Sequence, residues 1–158
     1  MWFDQQTINT KVCKLIIHKR IEDIALHNWY AEISTSPMCV LYRLYKKLFD
    51  FEKYLLNCNY VERIALSKLR CANIKLPVYN TIFMYETDIC TLCNLYILGD
   101  EYHYIMICPY FRHSREKYVK PYYYTRPSVI KFEKLLCSSS KRKLSNLAKF
   151  ARIILKQF

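Results

Sequence analysis

Three cysteines and one histidine, Cys90, Cys93, His103 and Cys108, fall within nineteen residues in the order C-x2-C-x9-H-x4-C. Thiolate and imidazole are the donors a tetrahedral zinc ion takes, and a structural zinc site takes four of them. The C-x2-C pair fits a tight turn that aims both sulfurs at one ion. The second pair must approach from the other side. In "GDEYHYIMIC", residues 99–108, Gly99 and Asp100 start a helix with Asp100 as its cap, which sets His103 in the first turns. Cys108 lies five residues further on. Along an unbroken α-helix that is about 500° of rotation and roughly 7.5 Å of rise, and the two side chains diverge. Pro109 disfavours the α conformation at Cys108, so the helix is expected to end or bend there and the thiol to turn back toward the imidazole.

Three thiolates, a neutral imidazole and Zn²⁺ leave one negative charge, and Arg112 and Arg115 are placed to offset it. Tyr102, Tyr104, Ile105 and Ile107 supply apolar cover, and the ion would add folding energy outright. Cys71 and His113 are the substitutes should one ligand be misassigned. The plainer alternative is four incidental residues in a chain with eight cysteines. Four protein ligands leave no open position for water, so the expected ion is one structural Zn²⁺ and not a catalytic one. No orienting acid or oxyanion loop accompanies His103 and Cys108, which argues against a nucleophilic pair. The carboxylates are mostly scattered, which argues against a magnesium nuclease. No enzyme activity and no small-molecule substrate are expected.

The elements that must hold these residues belong to a chain of 158 residues, 53% hydrophobic, with a single glycine, Gly99. Phosphate-cradling loops need more glycine than that, and so do many-turned β folds. The fold class expected is mainly α: a small helical domain with an embedded CCHC zinc-binding module and C-terminal amphipathic helices. Residues 8–30 mix apolar and basic residues at imperfect helical spacing. Residues 39–58 place Leu41, Leu44, Tyr45, Leu48, Phe51 and Leu55 at helical intervals, and a helix over 60–71 has Val61, Ile64, Ala65 and Leu69 inward. Residues 72–89, interrupted by Pro77, fit a short strand or a helical turn. Pro109 opens a helix to about 119, Pro127 opens another with Val129, Phe132 and Leu136 inward, and the last runs over about 140–157. Three stretches result: a helical region 1–71, the zinc-binding module with its flanking helix 72–120, and basic C-terminal helices 121–158. The isolated Cys13, Cys39, Cys58 and Cys137 read as small buried hydrophobes.

The net charge is +12, and its distribution is uneven. Residues 112–158 carry 13 Lys/Arg against two acids, whereas residues 1–111 carry 12 against 11. Such asymmetry points to a polyanion, most simply nucleic acid, RNA or DNA, without strong sequence preference. The candidate phosphate contacts are Lys117, Lys120, Arg126, Lys141, Arg142, Lys143, Lys149, Arg152 and Lys156. Tyr122, Tyr123 and Tyr124, within "PYYYTRP", are candidates for stacking on unpaired bases, with Tyr123 the one singled out; packing under the final helices is the plainer reading for two of the three. A solvated basic face is the plainer reading. No apolar run is long enough for a membrane span, and the first residues lack the order of a signal peptide, so no membrane partner is expected and the location expected is nuclear or cytoplasmic, not secreted.

The stretch "ICTLCNLYILGDEYHYIMICPYF…SREKY" resembles the C-terminal zinc-binding region of non-LTR retrotransposon (LINE-type) reverse transcriptases. Cys90 and Cys93 match that family's first pair, and Glu101 with His103 its acidic–His step. Cys108–Pro109 matches its "CP", and Arg112 or Arg115 the arginine that follows. The flanks "LSKLRCANIKLPV" and "YYYTRPSVIKFEKLL" are similar too, so the likeness covers residues 25 to 158 and is strongest over 66–136. It implies a tail that grips template RNA or target DNA beside a polymerase. No Y-x-D-D or F-x-D-D step is present, so the expectation is such a tail without its polymerase or endonuclease. The alternatives are a zinc-stapled protein–protein interaction module and an inert truncated transposon remnant.

Overall fold

A computed structural model describes residues 10–36, 39–71 and 89–158, all helical or irregular apart from one antiparallel bridge, Ile89 to Leu98. The fold is mainly α. The chain divides into two compact units, residues 1–36 and 37–158. The boundaries expected after 71 and 120 therefore fall inside the second unit. The first unit contributes α1, Thr10–Thr35. Its Ile17, Ile21 and Ile24 lie on a different side from Leu15 and Ile16, so it carries no single apolar stripe.

The second unit contains α2 (Val40–Tyr45), α3 (Lys53–Asn57) and α4 (Tyr60–Arg70). After the cluster-bearing segment come α5 (Arg112–Tyr118), α6 (Pro121–Tyr124), α7 (Val129–Leu136) and α8 (Lys141–Leu155). Helix α8 is the spine. It packs chiefly on α4 and also meets α5 and α3, while α2 meets α7. Of the stripe its spacing predicts, Leu144, Leu147, Ala148, Ala151 and Ile154 are buried and Leu155 is half-buried, with Phe150 added to the core.

Helix α4 starts with a capping box. Asn59 Oδ1 accepts from the Glu62 amide at 3.0 Å, and the Asn59 amide donates to Glu62 Oε2 at 3.2 Å. The buried Glu62 also accepts from the Ser145 hydroxyl, which ties α4 to α8. The inward face of α4 is rotated from the one expected. Ala65, Leu66 and Leu69 are buried, whereas Val61 and Ile64 face out. On α7 the expected Phe132 and Leu136 are buried and Val129 is exposed.

The single helix expected over 39–58 is instead two, α2 and α3, separated by residues 46–52. Lys46 turns extended at ψ 99° and buries its ammonium, which pairs with Asp50 and with Glu52 at 3.2 Å. Glu52 also accepts from Arg70 at 2.7 Å. The Arg70 guanidinium lies over the rings of Tyr45 and Tyr54, 4.9 and 4.6 Å from their centroids, and donates to the Leu136 carbonyl. Lys46 and Arg70, both nearly buried, thus share Glu52, with Asp50 as a second carboxylate for Lys46. Of the isolated cysteines expected in the core, Cys58 is buried, Cys13 and Cys39 are partly so, and Cys137 is exposed. The stretch 72–88 lies outside the described residues. No helix among those described is long and apolar enough to cross a membrane.

Candidate metal centre

Backbone chemistry builds the two halves of the centre separately. On the first side the Cys90 amide donates to the Ile97 carbonyl at 2.9 Å, closing a knuckle around turns at 91–95 that presents Cys90 and Cys93. On the second side Asp100 caps the helix start, its Oδ1 accepting from the His103 amide at 2.7 Å. This is the cap expected from the sequence.

From His103 to Ile107 the helix widens into a π turn. The Cys108 amide then reaches the His103 carbonyl five residues back, at 2.7 Å. Such widened turns are uncommon and occur often at functional sites. Here the turn cancels the divergence that an α-helix imposes on positions five apart. Cys108 itself leaves the α region, at φ −47° and ψ 121°, as a residue before proline should, and Pro109 begins a 3₁₀ turn to Phe111.

The four side chains converge. Cys90 Sγ lies 3.9 Å from Cys108 Sγ, and Cys93 Sγ lies 3.4 Å from His103 Nε2. One ligand atom from each residue falls within 4.8 Å of all the others. Tetrahedral zinc, with Zn–S near 2.3 Å and Zn–N near 2.05 Å, needs edges of about 3.8 Å for S–S and about 3.6 Å for S–N. The donor set and its spacing therefore fit one metal ion. Neither Cys71, exposed at the end of α4, nor His113, exposed on α5, belongs to the group.

Burial is deep. Cys90, His103 and Cys108 are each no more than 3% exposed, and Cys93 is on the outer side. Burial pushes the Cys108 thiol up to about 12, with the neighbouring Cys90 and Cys93 adding to the rise against a backbone hydrogen bond that lowers it. Burial also pushes the His103 imidazole below its ordinary value. Without a cation Cys108 and His103 are therefore held neutral, and an ion must displace the Cys108 proton to bind.

Arg115 fixes the second half. It is 5% exposed, and its guanidinium donates to backbone oxygens along the π turn and at Cys108. Nε donates to the Ile105 carbonyl at 2.7 Å, Nη2 to those of Cys108 at 2.7 Å and Tyr104 at 3.3 Å, and Nη1 to that of Ile107 at 3.4 Å. The sequence offers Arg112 and Arg115 alike as charge compensation. Arg112 is instead 79% exposed and pairs with Glu116 at 3.0 Å. Arg115 acts as a clamp on the backbone between two ligands, a role its position in the sequence does not announce.

The basic residues named from the sequence lie mostly at the surface. Lys117, Lys120, Arg126, Lys141, Arg142, Lys149, Arg152 and Lys156 are exposed and Lys143 is half-buried. Among the described residues none of them is in an ion pair. Lys120, Arg142 and Lys143, with Asn146, line a notch of about 190 Å³ between the start of α6 and the first turn of α8. Tyr123 requires a correction: it is 6% exposed, a core residue, and its ring face is closed to a base. Its neighbour Tyr122 is 56% exposed, with Lys131 Nζ 5.0 Å from its centroid. Comparison with protein-family models, curated proteins and solved structures finds no match to this chain.

Proposed function

We propose that this chain is a zinc-stabilised nucleic-acid-binding module, comparable in role to the C-terminal tail of a non-LTR retrotransposon reverse transcriptase. In this reading the ion is a structural Zn²⁺ with four protein ligands, and no reaction is catalysed. Its site of action is nuclear or cytoplasmic.

One observation carries the reading: the Cys/His cluster and the cationic helix α8 share one core. Tyr104, beside His103, packs its ring 5.2 Å from Phe158, and Phe111, just past Cys108, stands 6.3 Å from Phe150 of α8. An ion that steadies the π turn therefore steadies the helix that presents Arg142, Lys149, Arg152 and Lys156. Unpaired cations on a rigid face meet phosphates at the expense of bound counterions. The reading covers RNA and DNA alike, because no side-chain set for base recognition accompanies the basic face.

A second reading has its own support. Leu48, Phe51, Leu56 and Tyr60 are between 63% and 75% exposed, an apolar surface that suits a protein partner. Fluorescence anisotropy with a mixed-sequence single-stranded oligonucleotide separates the two. Zinc-loaded protein should bind with an affinity that falls with salt. Reversing Lys149, Arg152 and Lys156 to Glu should weaken binding at least tenfold and flatten the salt slope by about 0.7 for each phosphate no longer neutralised. Unchanged affinity in the reversed variant would favour the protein-interaction module.

A further inference from the structure

Tyr104 is fully buried, and its hydroxyl has no hydrogen-bond partner among the described residues. Buried hydroxyls are ordinarily paired, so an orphan calls for a physical reason. Its ring is fixed on three sides, with centroids 5.4 Å from His103, 5.9 Å from Phe111 and 5.2 Å from Phe158. Its oxygen stands 2.5 Å from where a Cβ on Gly99 would lie, and the Cys90 backbone N and Cα are 3.3 Å from the same point. The hydroxyl and the Cys90 backbone thus both close on the same side of Gly99, the only glycine of the chain, which sets the phenol near a ligand cysteine. Gly99 has no positive φ, so the demand there is for room and not for backbone freedom. A phenol carries one O–H donor.

We propose that Tyr104 is a positioning residue of the metal centre, its O–H donating to the Cys90 sulfur once that sulfur is a thiolate. The inference rests on the metal-centre reading. A neutral thiol is a weak acceptor, and a thiolate is a strong one. When a divalent ion binds, the Cys90 proton leaves to solvent and the Tyr104 proton stays on its oxygen. The orphan hydroxyl then gains a partner, and the O–H dipole offsets part of the negative charge that three thiolates leave on the centre. Cys93, on the outer side, receives no such donor from Tyr104. Supporting groups of this kind usually change metal affinity by about ten- to a hundredfold.

The test uses the full chain and a Tyr104→Phe variant, which removes the donor and keeps the ring. Both proteins are titrated with Zn²⁺ against a competing chelator and with Co²⁺ by absorption. The variant should still take one equivalent, bind about tenfold more weakly, and show a shifted sulfur-to-cobalt charge-transfer band. Its melting temperature should drop more in the metal-loaded form than in the metal-free form, since a mere packing defect lowers both alike. Equal affinity and an unshifted band would overturn the role of Tyr104 and leave the metal centre standing. No binding of either ion by the unmodified chain would overturn both. Should the variant not fold, the unmodified chain loaded with ¹¹³Cd²⁺ serves instead. Scalar coupling between the metal and the Tyr104 hydroxyl proton supports the bond, and its absence overturns it.

Discussion

The amide of Cys108 donates to the carbonyl of His103, five residues earlier, at 2.7 Å. That one bond brings two ligands onto the same side of a helix that would otherwise part them. Arg115 donates to three of the carbonyls between the two, those of Tyr104, Ile105 and Ile107, and to that of Cys108.

Replacing Arg115 therefore tests the turn directly. Lys in its place carries the charge but only a single ammonium, which cannot reach four carbonyls spread over Tyr104 to Cys108. Arg115→Lys should destabilise the protein by about 2–4 kcal/mol, the cost of leaving buried polar groups unpaired. Urea denaturation would measure it. Zinc affinity should fall with it, whereas Arg112→Lys, at an exposed pair, should change either by little.

The metal-free centre should give stability a limited pH window. His103 has a folded value below its unfolded one, near 6.5, so the stability tied to its neutral ring is present above about pH 6.5 and lost as pH falls. Cys108 is shifted the other way, from 9.0 to about 12. The stability tied to its protonated thiol is full below pH 9.0 and lost as pH rises toward about 12. Melting temperatures in chelator should therefore plateau between those limits. Asp100, raised by burial, works against the His103 trend in the more acid range. Burial raises Cys58, Cys71 and Cys137 as well, so a Cys108→Ala variant should shorten the alkaline limb without abolishing it.

Removing the ion should be felt by the whole second unit. Tyr104, Ile105, Met106 and Phe111 belong to the same buried cluster as Leu66 and Leu69 of α4 and Leu147 and Phe150 of α8. Loss of the ion should lower the melting temperature as one cooperative transition rather than fray a loop. Calorimetry with and without chelator checks this. Elemental analysis should give one equivalent of zinc for the chain and none, or weakly held metal, for Cys93→Ser.

What the sequence disclosed divides along the reach of the interactions. The Asp100 cap and the pre-proline geometry of Cys108 are set within a few residues, and both were legible. The convergence of Cys90, Cys93, His103 and Cys108 was legible from donor type and spacing. The π turn was not, because the clamp that sustains it comes from Arg115, seven residues beyond Cys108. The break after Tyr45 was hidden for a similar reason. Leu44, Leu48, Phe51 and Leu55 satisfy a helical period, and the acid–base network that overrides it reaches to Arg70. Three successive tyrosines sample every side of a single turn, so which of Tyr122, Tyr123 and Tyr124 faces inward depends on packing that spacing does not encode.

That network offers a final test. Arg70 is 4% exposed, held by Glu52 and by two tyrosine rings. Removing Glu52 alone leaves two nearly buried cations underpaired, Arg70 with no carboxylate and Lys46 with Asp50 alone. Glu52→Leu should therefore cost about 3 kcal/mol or more. Replacing Arg70 by Met in the same chain removes one of those charges, and the Met side chain packs between the rings. The double variant should recover much of the loss, because a buried ion pair and an apolar pair of similar volume differ little in net stability. A double-mutant cycle by urea denaturation reads the coupling. If the two substitutions simply add, the pairing of Glu52 with Arg70 is not what holds residues 46–52 out of the helix.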